Sequence, residues 1–439
     1  MTISEKYKLA RWAMNHALKS GAQEVSVSLF DSTSSSIEVR EEKIDKLEQA
    51  NQSGMTIRLM VDKKYSAHST NRLNNSAELE RFIEEAIAGT RFLAEDEYRT
   101  LPDPGLYYRG GGEDLRTSDP GFADVDPQEK IDAAFHVEQE VLGQDDRIIS
   151  VTASYYDGSN TRVMVTSNGF EGDASNTYYG LNASVSVKGG DARPESSWSE
   201  STNFYSKLKR SSIGSKALER ALGKIGQGKI ESGRLPMVVE NRQVGRLLGP
   251  MMSAISGAAI QQKNSFLIDS LDSKVASDKL TVTEDPFIVS GRGSRFFDSE
   301  GIATKKRVIF GQGVLKTYLI DSYYGKKLGM EPNSGDTTNL LFETGDKDIN
   351  GLIATLEKGI MVTGFNGGNC NGTTGDFSYG IDGFLVENGK ISRPVSEMNI
   401  SGNMKDLWMN LAEVGTDLNE NSSWQTPSML FSGVDFSGI

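Results

Sequence analysis

Cys370 is the single cysteine of the chain, and it lies in the glycine-rich stretch Gly367-Gly-Asn-Cys-Asn-Gly372. A glycine loop could expose a thiolate as a nucleophile if a nearby base or positive cluster lowered its pKa. Bases are scarce, because the chain has 3 histidines, His16, His68 and His136. None has a histidine partner at helical or hairpin spacing, so no local two-histidine zinc motif exists. A Cys–His pair would need a long-range meeting, and the plainer reading of Cys370 is a loop cysteine. The segment from Asp376 to Asp382 lacks the acidic ladder of a calcium loop. No Gly-x-Ser-x-Gly elbow and no Gly-x-x-x-x-Gly-Lys-Ser/Thr phosphate loop occurs. Gly223, Gly226 and Gly228 miss the dinucleotide-binding order and precede a strand, so they read as a hinge between halves.

Composition narrows the classes further. Lysine and arginine number 47 against 60 aspartates and glutamates, a net charge of −13. Such a chain is a poor candidate for a phosphate backbone, which demands clustered cations. Lys207-Leu-Lys-Arg210 and Lys305-Lys-Arg307 are short and read as solvated faces. A lone cysteine excludes internal disulfides and Cys-rich metal sites. No apolar run approaches the roughly 18 residues of a membrane helix. The first 12 residues carry charge where a signal peptide needs an apolar core. The expectation is a cytoplasmic protein with no membrane and no direct nucleic-acid partner.

The elements that would position these residues follow from periodicity. With 46 glycines and 11 prolines, the chain favours tight turns between strands. Residues 1–20 predict an amphipathic helix capped by Ser4, with Leu9, Trp12, Ala13 and Ala17 on one face. Separate strands are predicted at 24–30, 36–40, 45–49 and 55–61. Asn75 and Glu78 open a second helix, whose stripe is Leu79, Phe82, Ile83 and Ala86. Residues 95–126 read as a long loop, the kind used as a lid, a wrap-around arm or a partner-binding segment. Asp126-Pro127 opens a third helix. Strands at 148–156, 161–166 and 178–187 follow, with a turn at Asn168-Gly169, and then a helix over 212–226. The second half starts with a strand at 235–239 and a helix over 241–255. Two hairpins turn at Gly311-Gln-Gly313 and Asn388-Gly389. The class is α+β with antiparallel sheets. An N-terminal helix and antiparallel-strand domain spans 1–226, and a β-rich C-terminal domain with a few helices spans 227–439.

Three long segments carry a family resemblance. They are Phe296-Phe-Asp-Ser-Glu-Gly301; Gly375-Asp-Phe-Ser-Tyr-Gly-Ile-Asp-Gly-Phe-Leu-Val-Glu-Asn-Gly389; and Pro394-Val-Ser-Glu-Met-Asn-Ile-Ser-Gly-Asn-Met-Lys-Asp-Leu-Trp408, continuing to Val414-Gly-Thr-Asp417. With the 241–257 helix and Lys263-Asn-Ser-Phe-Leu-Ile-Asp-Ser270, they resemble the TldD/PmbA family, also called the modulator of DNA gyrase family, in its PmbA/TldE-like branch. One subunit type of that family resembles a zinc protease, with His-Glu-x-x-x-His in the helix after the strand that opens the second half. The matching segment here is Leu247-Leu-Gly-Pro-Met-Met-Ser-Ala254. Gly249 and Ala254 stand in the histidine places and Pro250 in the glutamate place. Glycine and alanine cannot ligate zinc, and proline cannot act as a base. The family's late cysteine has no counterpart around Ser422-Ser-Trp-Gln-Thr-Pro427, and Cys370 lies too far upstream.

The resemblance therefore implies no catalytic residue and no metal or other cofactor in this chain. It implies the non-catalytic half of a two-subunit metallopeptidase, with zinc in a TldD-like partner. The substrates would be small or unfolded peptides, including peptide-antibiotic precursors and an antitoxin. Phe297, Asp298, Glu300, Asp376 and Tyr379 are the candidates for a substrate groove or partner interface. The chain alone is expected to be a homo-oligomer. The alternative is a stand-alone homodimeric protein-binding module of the gyrase-modulator type, without peptidase activity.

Overall fold

In a computed structural model that describes residues 1–438, the first half is organised by one six-stranded antiparallel sheet of order β3-β2-β1-β4-β5-β6. Its strands are β1 (Glu24–Arg40), β2 (Lys43–Val61), β3 (Lys64–Thr70), β4 (Ile148–Thr166), β5 (Glu171–Val187) and β6 (Glu195–Thr202). The helices are α1 (Ile3–Lys19), α2 (Ser76–Thr90), α3 (Pro127–Gln139) and α4 (Ile213–Gly223). Thr2, not Ser4, caps α1, because its hydroxyl accepts from Glu5 N while the Glu5 carboxylate accepts from Thr2 N. Asn75 and Asp126 cap α2 and α3 as their sequences imply. Residues 95–126 are irregular, apart from short turns at Pro104–Leu106 and Phe122–Asp124.

The pairs of short strands predicted at 24–30 and 36–40, at 45–49 and 55–61, and at 148–156 and 161–166 are instead three long ones. The polar middle of β1 is not a turn. Asp31 to Ser36 pair with Ser53 to Glu48 on one side and Thr161 to Tyr156 on the other, so both ladders run unbroken. These polar residues lie in the lane between two helix pairs on the same sheet face. At one end Val25, Val27 and Leu29 pack against Ala10, Ala13, Ala17 and Ile83 of α1 and α2. At the other, Ile37, Val39, Tyr155 and Leu181 pack against Ala134, Val137, Ala217 and Ala221 of α3 and α4. Alanines on the helices let the backbones approach closely. Between the pairs, Lys6 meets Asp31 at 2.5 Å and Lys130 meets Asp157 at 2.6 Å, so the buried charges in the lane are paired.

The second half contains β7 (Gly233–Val239), β8 (Val282–Glu284), β9 (Arg307–Gly311), β10 (Val314–Leu315), β11 (Leu340–Phe342), β12 (Lys358–Cys370), β13 (Asp376–Glu387), β14 (Lys390–Asn403), β15 (Leu411–Leu418) and β16 (Pro427–Ser437). Its helices are α5 (Asn241–Ala254), α6 (Gly257–Gln261), α7 (Ser322–Leu328), α8 (Ile349–Ala354) and α9 (Met404–Met409). A sheet of order β14-β13-β12-β7-β16-β15 closes on itself at one end, where residues 399–401 of β14 pair with 435–437 of β16. Closure removes edges that would otherwise be open. β7 and β12 run parallel, which departs from a wholly antiparallel plan because α5 and the following chain form a crossover between them. A small sheet, β10-β9-β8-β11, lies beside it. Helix α5 turns Val244, Leu247, Leu248 and Met251, all 0% exposed, into the largest core.

The halves are joined by directional contacts. Arg220 of α4 grips Glu240 in a two-pronged ion pair at 2.7 and 2.8 Å. The Arg242 guanidinium lies 3.6 Å over the Trp198 ring and 3.2 Å from Glu200.

Candidate functional site

Because Val244, Leu247, Leu248 and Met251 face inward, the helical period turns Gly245, Arg246, Gly249, Pro250 and Ser253 to the opposite side. That side lines an open groove of about 660 Å³, closed across from α5 by Gly368, Asn369, Cys370, Gly372 and Tyr379. The structure thus places Gly249, Pro250, Ala254, Cys370 and Tyr379 together, although more than a hundred residues of chain separate the helix from the hairpin. The groove is wide at Gly249, where an added Cβ would meet nothing within 4 Å. Pro250 lies inside the helix, so the Arg246 carbonyl lacks its usual amide partner.

The far wall is the β12–β13 hairpin. Its register shifts between Asn366 and Asn369, and Gly367 and Gly368 take φ of 58° and 75° there. Only glycine fits at 368, since a Cβ would come within 2.0 Å of the Ser378 carbonyl oxygen. Arg246 donates to the Gly367 and Gly368 carbonyls at 3.2 and 3.0 Å. Its guanidinium also lies 4.8 Å from the centre of the Tyr379 ring. Arg246 thereby fastens the hairpin across the helix. It is the groove's central charged side chain, and no motif marks it in the sequence.

Chemically the groove is sparse. Burial, with Asp376 nearby, pushes the Cys370 thiol up, so it stays protonated at neutral pH and is a weak nucleophile. Burial likewise raises the Tyr379 phenol, against the lowering effect of Arg246. Zinc is the metal the resemblance raises, and the residues do not fit it: a glycine, a proline and an alanine offer no lone pair from their side chains. Among the described residues no group of three or more His, Cys, Asp or Glu could hold a metal.

The remaining candidates lie elsewhere. Asp376 starts β13, where it accepts from Thr374 Oγ1 at 2.7 Å and Asn403 Nδ2 at 3.0 Å; these bonds hold its carboxyl below the usual range. Phe297, Asp298 and Glu300 sit at the junction with the first sheet. Phe297 packs edge-on against Phe170 at 5.1 Å within a cluster that includes Tyr107 and Met164. Asp298 Oδ1 accepts from Glu300 N at 2.8 Å and Ile302 N at 3.0 Å. The Glu300 carboxylate accepts from Ser322 N at 2.9 Å and from the Ser322 hydroxyl. Gly301 has φ of 90°, and a Cβ there would meet the Phe170 ring at 2.8 Å. The motif is therefore a clasp: ring, turn-closing acid, helix-holding acid and a glycine against a ring. Asp298 and Glu300 also border a cavity of about 380 Å³ with Arg58 and Arg99. Arg99 stacks 3.4 Å over Tyr323, and no local pattern announces either arginine. Burial raises the carboxyls of both Asp298 and Glu300.

Comparison with known proteins matches the chain along nearly its whole length. The PmbA/TldA metallopeptidase domain 1 matches residues 25–89, the central domain 120–225 and the C-terminal domain 232–438. The Haemophilus influenzae metalloprotease PmbA homologue is 30% identical over 97% of this chain and 95% of its own. A crystal structure from Bacteroides thetaiotaomicron, named for a candidate modulator of DNA gyrase, superposes with a TM-score of 0.98 at 52% identity and covers 100% of both chains. TldE from Thermococcus kodakarensis shares the fold, with a TM-score of 0.84 at 18% identity over 98% of this chain and 100% of that one.

Proposed function

The chain belongs to the PmbA/TldD metallopeptidase family, and on that premise we propose that it is the non-catalytic subunit of a two-subunit peptidase. Its partner is a TldD-like chain that carries the zinc, and the substrates are small or unfolded peptides. The observation that carries this reading is the outer face of α5. The groove is there, but Gly249, Pro250 and Ala254 line it where the family resemblance calls for two ligands and a base. A peptidase needs a polarising metal or an activated nucleophile, and the thiol in this groove is held protonated. What the subunit supplies is shape: a wall for a chamber that limits access to extended chains.

The test compares the purified chain, alone and mixed with a TldD-like protein, in casein and peptide digestion with metal analysis. The chain alone is expected to cleave nothing and to hold no stoichiometric zinc, whereas the mixture cleaves. Digestion by the isolated chain, or one tight zinc per chain lost on altering α5, would overturn the proposal.

A second reading, the stand-alone homodimeric binding module, draws on an uncovered strand edge at β2 and on the net charge of −13, which suits protein contact. Affinity purification from the native cell separates the two. A co-purifying homologue with His-Glu-x-x-x-His favours the peptidase complex.

A further inference from the structure

β3 covers the outer side of β2 only along residues 55–61. β1 pairs with β2 on its inner side as far as Lys43. Among the described residues, 43–54 therefore forms an open strand edge, with backbone donors and acceptors facing solvent. Residues 41–49 are exposed on both faces of the sheet. Ile44 and Leu47 are 44% and 56% exposed, although their neighbours across the ladder, Val39 and Ile37, are 0% and 4% exposed. A buried apolar row thus runs out to the edge and stops. No proline interrupts the segment, and its one irregularity, opposite Glu38 and Val39, lies near the hairpin tip. Edges of this kind template the addition of another strand.

We infer that this edge pairs with the same edge of a second copy of the chain, antiparallel, about a two-fold axis through Leu47. Two six-stranded sheets then become one continuous sheet. The inference rests on the self-association of the second reading above, and it names the surface. Among axes set on or beside residues 46 to 48, the charged part of the edge is complementary to itself only in that register. With Leu47 on the axis, Leu47 meets Leu47 on one face, while on the other Lys46 meets Glu48 of the second copy and Glu48 meets its Lys46. Within one chain Lys46 and Glu48 already share a face, 3.0 Å apart, so the dimer would carry a two-by-two patch of alternating charges. Moving the axis to Lys46 or to Glu48 stacks like charges directly opposite each other, which is destabilising. Placing it between 46 and 47 sets Asp45 against Glu48. Placing it between 47 and 48 sets Leu47 against Glu48. A two-fold contact of a patch with itself is the usual form of a homodimer.

The test is charge exchange, with mass read by light scattering on the full chain. The wild type is expected to be a dimer at micromolar concentration. K46E and E48K each place like charges opposite twice, and each is expected to weaken the dimer about ten-fold or more. The double variant K46E/E48K restores it, and so does an equimolar mixture of the two single variants. In a Cys370→Ser background, Leu47→Cys is expected to form a disulfide-linked dimer under mild oxidation, because cross-strand neighbours on the axis lie within bridging range. Lys46, Leu47 and Glu48 are all exposed, and unchanged melting curves show that the variants fold. A wild-type dimer indifferent to the single variants places self-association elsewhere and overturns this inference while sparing the proposed function. A wild-type monomer overturns the inference and the self-association together. Single variants that lose only capture of a TldD-like chain or of peptide assign the edge to that partner, which also overturns it.

Discussion

On the α5 face of the groove no side chain offers a metal ligand or a base, and at the clasp around Asp298 the acids are present but occupied. The groove has space, with nothing within 4 Å of a Cβ added at Gly249. The charged side chain reaching across it, Arg246, is spent on two carbonyls and a ring. The clasp has two carboxylates, Asp298 buried and Glu300 half-buried, a combination that elsewhere signals acid–base work. Here each accepts two hydrogen bonds from the protein itself. A perturbed carboxyl is thus evidence of burial first. It becomes evidence of chemistry only when its lone pairs point at something that could be a substrate.

The sharpest way to break this contrast is Asp298→Ala. If the carboxylate is structural, removal strands the buried Ile302 amide and the half-buried Glu300 amide and costs about 2–3 kcal/mol in denaturant unfolding. A fully stable variant with altered peptide handling would move Asp298 to a functional role. Pro250→Ala probes the other side with the opposite sign. It restores an amide to the middle of α5 on the groove face, so stability is expected to rise by roughly 1–2 kcal/mol. Thermal melting checks this, and a loss of stability would mean that the proline holds a bend the groove needs.

A smaller effect sharpens the clasp by pH. The Asp298 carboxyl is raised by burial, so the folded state holds its proton to higher pH than the unfolded state. Its contribution is full below the ordinary carboxylate pKa and is lost as pH rises through the raised value. Asp298→Asn keeps the accepting oxygen and cannot ionise. Its stability relative to wild type should increase from pH 4 towards neutrality. A constant difference across that range would contradict the raised carboxyl. The smallest effect is expected for Cys370→Ser, within about 0.5 kcal/mol of wild type and without loss of activity in the partnered enzyme. A large activity loss would show that the hairpin thiol is engaged.

The groove was more legible than the clasp. Gly249, Pro250 and Ala254 could be picked out from a short segment set beside the family pattern, and the helical period already said which face they share. The Asn168-Gly169 turn likewise implied a hairpin, because turn chemistry is local. The breaks placed in the long strands failed because a polar run looks the same whether it turns or lies in a lane between two helix pairs. Of the five candidates for a substrate groove or partner interface, the fold puts Tyr379 in the α5 groove, Asp376 at the start of β13, and Phe297, Asp298 and Glu300 at the junction with the first sheet, a distribution that no local pattern carries.

What the sequence by itself determined is composition at a place. No folding can give a glycine, a proline and an alanine a zinc ligand, so the chemical poverty of α5 was settled covalently. What only the tertiary structure decided is who meets whom. Glu300 finds Ser322, 22 residues on, and Arg246 reaches Gly368, 122 residues on. Among the described residues β2 is left without an outer neighbour over 43–54, because β3 is too short to cover it. Periodicity encodes which face a residue shows, at a range of a few residues. The partner on that face is chosen by the packing of the whole chain, and no local pattern carries it.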